Sequence, residues 1–192
     1  MSELSLGETL RRLRGDAELS LRSLAEKTGF SASFLSQVEN GQASPSIASM
    51  ERIAAALGVT MGQVFDGVER ANPLAAVVRT DARVTITSEW SKGRIESLGT
   101  SGAGGRLESV LVTLGPGGKS GTRPYSSERE EFALIVEGSV VLALAEHGRG
   151  EGDPEQEYIL RSGDAVTIRA KVARRWQNLS RTPVKVVIVS AR

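Results

Sequence analysis

Residues 20–41 constrain this chain more than any other stretch, because they admit little besides two short helices joined by a tight turn. Ser20 can cap the first helix, and Leu21, Leu24 and Ala25 give it a buried face. Gly29 ends it, since the left-handed residue after a helix costs least as Gly. Ser31 caps the second helix, whose apolar positions are Phe34, Leu35 and Val38. Helices this short are unstable alone and need neighbours to cover their apolar faces. Leu6, Leu10 and Leu13 supply one neighbour, helix 1. Ser44-Pro45 opens helix 4, with Ser as cap and Pro at the first helical position. Ile47, Met50, Ile53, Ala54 and Leu57 line its core face, and Gly58 ends it. Thr60 caps a last turn carrying Met61, Val64 and Phe65. Residues 1–66 therefore read as a five-helix domain.

Beyond Leu74 the texture changes. Residues 66–73 are polar and end in Pro, so 67–74 is read as a linker and 75–192 as a second domain. There, short runs such as AAVVR, RVTIT, SVLVTL, EFALIVEG, SVVLALAE, QEYIL, DAVTIRA and VKVVIVS alternate with Gly-rich turns. Many short strands at this spacing predict an antiparallel β-sandwich or barrel. Residues 147–156 are polar, charged and Gly-rich, and read as an exposed hairpin loop holding His147. The fold class is thus α + β, in two domains.

A length of 192 residues accommodates both domains. The absence of cysteine rules out a disulfide framework and a thiolate metal site. No run approaches a membrane span and no N-terminal stretch has the plan of a signal peptide, so a cytoplasmic location away from membranes is expected. Net charge is +1, with seven Lys/Arg against nine Asp/Glu in residues 1–70. A weakly acidic first half supplies little non-specific affinity for nucleic acid, so contact with DNA would depend on local placement. Arg11, Arg12, Arg14 and Arg22 cluster around the first two helices.

The SFLSQVENG run at 33–41 resembles the helix-turn-helix of the phage-repressor-like (XRE) regulators, which implies a lambda-repressor-like DNA-binding domain. Two stretches of the β half resemble the cupin family. One runs from Pro116-Gly117-Gly118 through Glu131 to Gly138, the other from Gly163-Asp164 through Asn178. The first resemblance implies that Ala32, Ser33 and Gln37 face base edges, with Ser36 and Asn40 nearer the DNA backbone. The chemistry suits that role, because Gln can bond an adenine edge, Ser can donate or accept, and Ala can meet a thymine methyl. Gln42, Ser44 and Ser46 could bind phosphate through side chains and the start of helix 4, with Arg22 a further phosphate contact. Arg14 and Glu39 resemble the family's interhelix ion pair, which fixes the recognition helix.

Metal-binding cupins carry two His separated by one residue, a Glu, and a third His from the second motif. By that resemblance Glu131 is the Glu, while Tyr125, Ser127 and Arg174 stand at the three His positions. Arg has no lone pair to give a metal, and zinc and iron sites want imidazole or thiolate. No metal and no cofactor are expected. Alternation along the strands turns Glu131, Ala133 and Ile135 one way, and Arg174, Trp176 and Asn178 inward with Tyr125 and Ser127. Two readings stay open. Tyr125, Ser127, Glu131, Arg174 and Trp176 could line a cavity for a small organic ligand, with Arg174 a fork for its anionic group. Alternatively, an Arg174–Glu131 ion pair simply fills the site.

Together the two resemblances imply a sequence-specific regulator of transcription, not an enzyme. Its partners would be a duplex DNA operator, a small organic and possibly anionic effector, and a second copy of the chain. Apolar strands at 132–136 and 184–189 supply a motive for the homodimer. One rival is a cupin enzyme with a helical appendage. An epimerase would use Tyr125 as acid or base, and an oxygenase would need the missing His. A regulator whose cupin is a ligand-free dimerisation scaffold is the other rival.

Overall fold

The computed structural model describes residues 5–64, 77–99, 107–145 and 156–191. Four helices form the first domain: α1 (Leu6–Asp16), α2 (Leu21–Thr28), α3 (Ala32–Glu39) and α4 (Ile47–Ala56). The fifth helix expected from sequence is a single turn, Met61–Val64, too short to count as an independent element. Ser20 and Ser31 cap α2 and α3 through the amides of Ser23 and Phe34, at 3.0 and 3.1 Å. Gly29 adopts φ 69°, so the αL stop after α2 is as expected. At α1 an unforeseen reciprocal cap appears, with Ser5 N donating to the Glu8 carboxylate at 2.7 Å and Glu8 N to the Ser5 hydroxyl. Helix α4 begins later than expected. Its cap is Ser46, whose hydroxyl accepts from Ser49 N at 3.1 Å, so Ser44-Pro45 precedes the helix. Leu10, Leu24, Leu35, Val38, Met50 and Ile53 interlock as the core of the four helices.

Among the described residues the second domain has nine strands: β1 (Thr85–Ser88), β2 (Gly93–Ser97), β3 (Leu107–Leu114), β4 (Glu131–Glu137), β5 (Ser139–Ala145), β6 (Gln156–Arg161), β7 (Ala165–Ile168), β8 (Ala173–Gln177) and β9 (Val184–Ala191). They form two antiparallel sheets with cupin-like topology, ordered β1-β2-β3-β9-β4-β7 and β6-β5-β8. The expected strand at AAVVR is not formed at 77–79, which lead into a 3-10 turn, Thr80–Ala82. Strands β5 and β6 pair as a hairpin, but the loop expected between them, with His147, lies outside the described residues, as does the linker at 67–74. Register sets two faces on the larger sheet. Ala133, Ile135, Val112, Val186 and Ile188 point inward, while Phe132 opposite Val189 and Leu134 opposite Val187 point outward.

The two domains meet at the start of α4. Ile47 N donates to the Ser91 hydroxyl at 3.2 Å and Ala48 N to the Ser120 carbonyl at 3.0 Å. Ser88 donates to the Pro45 carbonyl at 2.8 Å, and Glu89 N to the Ser44 hydroxyl at 3.2 Å. Amides that end a helix without partners are here satisfied by the β domain.

Candidate functional site

Two candidate sites are present, one on the exposed face of α3 and one inside the domain junction beside α4. On α3 the residues Ala32, Ser33 and Gln37 are exposed and form one outward face. The opposite face is fixed. Leu35 and Val38 are core, and Glu39 is 7% exposed while receiving Arg14 at 2.7 and 2.9 Å and Arg11 at 3.4 Å. Arg14 also donates to the Leu19 carbonyl at 2.9 Å, which closes the gap between α1 and α2. The ion pair expected between Arg14 and Glu39 is thus present, with Arg11 as an added donor.

The flanking polar residues divide. Gln42 and Arg22 are exposed, Arg22 alongside Glu26 at 3.5 Å. Asn40 is exposed but its side-chain carbonyl receives Arg11, and its amide reaches Ser36 at 3.4 Å. Ser46 is occupied as the α4 cap, and Ser44 binds Glu89 N. The first amides of α4, expected as a phosphate cradle, face the β domain instead. That expectation failed because it treated the helix start as a free end.

Inside the junction lies a cavity of about 500 Å³, walled by α4, the turn after it and the inner face of the larger sheet. Its lining is mainly apolar, with Ile47, Ala54, Val110, Val112, Ile188 and Trp176 among its walls. Tyr125, Ser127 and Glu131 line it as expected, and Arg174 lies behind them, 2% exposed. Arg174 is engaged through both terminal nitrogens, while its Nε is buried without a hydrogen-bond partner among the described residues. Its guanidinium donates to the Glu131 carboxylate, to Glu51 at 3.3 Å and to the Tyr125 carbonyl at 3.3 Å, and it stacks 4.7 Å from the Tyr125 ring centre. Burial works against its charge, but Glu51, Tyr125 and Glu131 outweigh it and push its pKa up. An anion on Arg174 would compete with the two carboxylates that already hold it.

Glu51 was missed by sequence reasoning. It sits on α4, across the domain boundary from the cupin motifs that directed attention to Arg174. The available signal was its place on a helix whose other charged residue is Arg52 alone. Arg52 turns the other way, donating to the Thr28 carbonyl and stacking 4.6 Å from the Phe30 ring centre. Burial pushes the Glu51 carboxyl up from its ordinary range, opposed by Arg174.

The residues present do not fit the metal that metal-binding cupins hold. Of the four ligand positions only Glu131 has a donor of the right kind, and its carboxylate is bonded to a permanent cation. Among the described residues no three His, Cys, Asp or Glu side chains converge.

Burial raises the Glu131 carboxyl to about 7, against the pull of Arg174 and with Glu51 adding to the rise. Between the ordinary carboxylate range and that value the folded chain keeps a proton that the unfolded chain has lost. Stability therefore falls as pH rises through this window and levels off above it. Thermal midpoints of the full chain should fall between about pH 5 and 7.5 relative to Glu131→Gln. A constant difference across that range would show that Glu131 does not titrate there.

A model of the helix-turn-helix domain matches residues 5–64, and a model of the cupin domain matches residues 110–190. The HTH-type transcriptional regulator PuuR of Escherichia coli (strain K12) is 24% identical over 177 residues, covering 92% of this chain and 89% of that protein. An HTH_3 family transcriptional regulator from Vibrio cholerae has a TM-score of 0.69 at 22% identity, over 97% of this chain and 94% of that one. The hydroxypropylphosphonic acid epoxidase from S. wedmorenis shares the fold at a TM-score of 0.52 and 16% identity, over 96% of each chain. Among the described residues no helix is long and apolar enough to cross a membrane.

Proposed function

We propose that this chain, in which a helix-turn-helix domain is fused to a cupin domain, is a regulator of transcription that reads a specific duplex operator through α3, pairs through its β domain, and responds to a small organic molecule held at the domain junction. The observation that carries the reading is the two-sidedness of α3. Its inner face is locked to α1 by Glu39, while Ala32, Ser33 and Gln37 stand free on the outer face. A rigid short helix with a small, polar, uncharged face is suited to base edges in a major groove. Arg22 and Gln42 flank it as backbone contacts, with Ser36 and Asn40 in supporting positions.

Gln37→Ala should weaken the selected operator by about 1–3 kcal/mol and leave random duplex nearly unaffected, whereas Arg22→Ala should weaken every sequence and flatten the salt dependence. Selection from random duplex followed by titration checks both. Failure to enrich any motif would remove the regulator reading.

A second copy is the partner that fits the outer face of the larger sheet. Phe132 and Val136 are 44% and 48% exposed, beside the half-buried Leu111, Leu134, Val187 and Val189. Pairing there would set two α3 helices on one duplex, and a two-fold site doubles what a single helix can read. Phe132→Glu should convert a dimer of the full chain to monomer in sedimentation. A wild-type chain that sediments as a monomer at micromolar concentration would overturn the pairing.

The reading is non-catalytic. Tyr125, the acid-base candidate of the epimerase rival, is pushed up by burial and packed against Arg174, so it is a protonated phenol at neutral pH. A DNA-reading role places the working protein in the cytoplasm.

A further inference from the structure

We propose that the junction cavity takes an organic cation, a primary ammonium on an apolar body, anchored by the Glu51 and Glu131 carboxylates. The proposal rests on the sensor reading of this cavity and names the chemistry of its ligand.

The argument is a charge count. The cavity and its wall hold Glu51, Glu108, Glu128 and Glu131 against Arg52, Arg129 and Arg174. Arg129 pairs with Glu108 at 3.0 Å, and Glu128 with Lys171 at 3.5 Å. Arg52 is directed away, to the Thr28 carbonyl and the Phe30 ring. What remains is two carboxylates facing one guanidinium, an excess of one negative charge in a largely apolar space.

A buried charge without a partner is costly, so the excess is met by a proton or by a cation. Two atoms of the cluster lack partners among the described residues, the donor Arg174 Nε and the acceptor Glu131 Oε2, and only the second can answer a cation. Glu131 Oε1 is bonded to Arg174, while Glu131 Oε2 is buried without a hydrogen-bond partner among the described residues. The side chain is 8% exposed and lines the cavity. Glu51 lines it from the opposite domain, bonded to Arg174 through one oxygen. An ammonium has three donors and could answer both carboxylates without disturbing Arg174. The apolar and aromatic walls suit a hydrocarbon body, and the negative face of an aromatic ring tolerates a cation better than an anion.

The test uses three probes of one shape on the full-length protein at fixed pH and salt: 4-phenylbutylamine, 4-phenylbutan-1-ol and 4-phenylbutyrate. Calorimetric titration should rank the amine at least about tenfold tighter than the alcohol, with the acid weakest. Glu131→Gln should erase most of the amine's advantage and leave the alcohol unchanged, and Glu51→Gln, checked for folding by circular dichroism, should do the same. Equal or tighter binding of the acid or the alcohol overturns the cation and leaves a sensor of another class. No saturable binding by any of the three removes both the cation and the sensor reading of the cavity. Amine binding untouched by either substitution overturns the anchor assignment.

Discussion

Arg174→Met should cost the folded chain about 3–5 kcal/mol, the penalty for leaving buried charge without its partner. Methionine replaces most of the stem, so packing alone predicts a small loss. The electrostatic loss is large because Glu51 and Glu131 would then face each other with no cation between them. The same logic predicts rescue. Adding Glu51→Gln and Glu131→Gln to Arg174→Met removes both stranded charges and should restore most of the loss, since a buried ionic cluster replaced as a whole is often neutral. Denaturant unfolding of the full chain measures all of these variants. A single-variant loss below about 1 kcal/mol, or a triple variant no better than the single, would mean that the cluster is hydrated and electrostatically idle.

Glu39→Ala should cost about 3 kcal/mol, at the low end of the same range because Arg14 keeps part of its surface in water. Glu39 is the point where α1 holds α3. Gly7 lies against the Glu39 backbone so closely that a methyl group there would run into its carbonyl, which brings Arg11 and Arg14 of the same helix within reach of the carboxylate. Loss of the carboxylate leaves the largely buried Arg14 guanidinium without its charge partner and loosens the base-reading face, so operator affinity should fall along with stability. Unfolding and operator titration of the same sample check the pair of effects. Full operator affinity in a destabilised variant would show that α3 holds its orientation without this anchor.

What was legible in the sequence was what local chemistry decides. Ser20, Ser31, Gly29 and Gly58 mark helix ends because capping and left-handed backbone are properties of single residues. The inward faces of β4 and β8 follow from alternation, which puts Glu131, Arg174 and Trp176 on shared ground. Strand β8 itself, ARRWQ, carries no apolar run and was located through its cupin spacing rather than its composition. The reading failed where two distant segments meet. Ser44-Pro45 has the local signature of a helix start, but the docking of Pro45, Ile47 and Ala48 against Ser88, Ser91 and Ser120 accompanies a start two residues later. Glu51 was invisible for the same reason, since a helix pattern gives no hint that its carboxylate closes a site built by another domain.

Helix α4 carries Glu51 and Arg52 side by side, one reaching into the β domain and the other holding the turn between α2 and α3. The roof of the cavity is therefore part of the apparatus that aims the reading helix. Neither domain cut from this chain would enclose the cavity, because each supplies only part of its walls. On the proposed function, occupancy of the cavity and occupancy of the groove become two pulls on one helix. If the operator favours one seating of α4, it alters the hold on the small molecule by the same factor that the small molecule alters the hold on the operator.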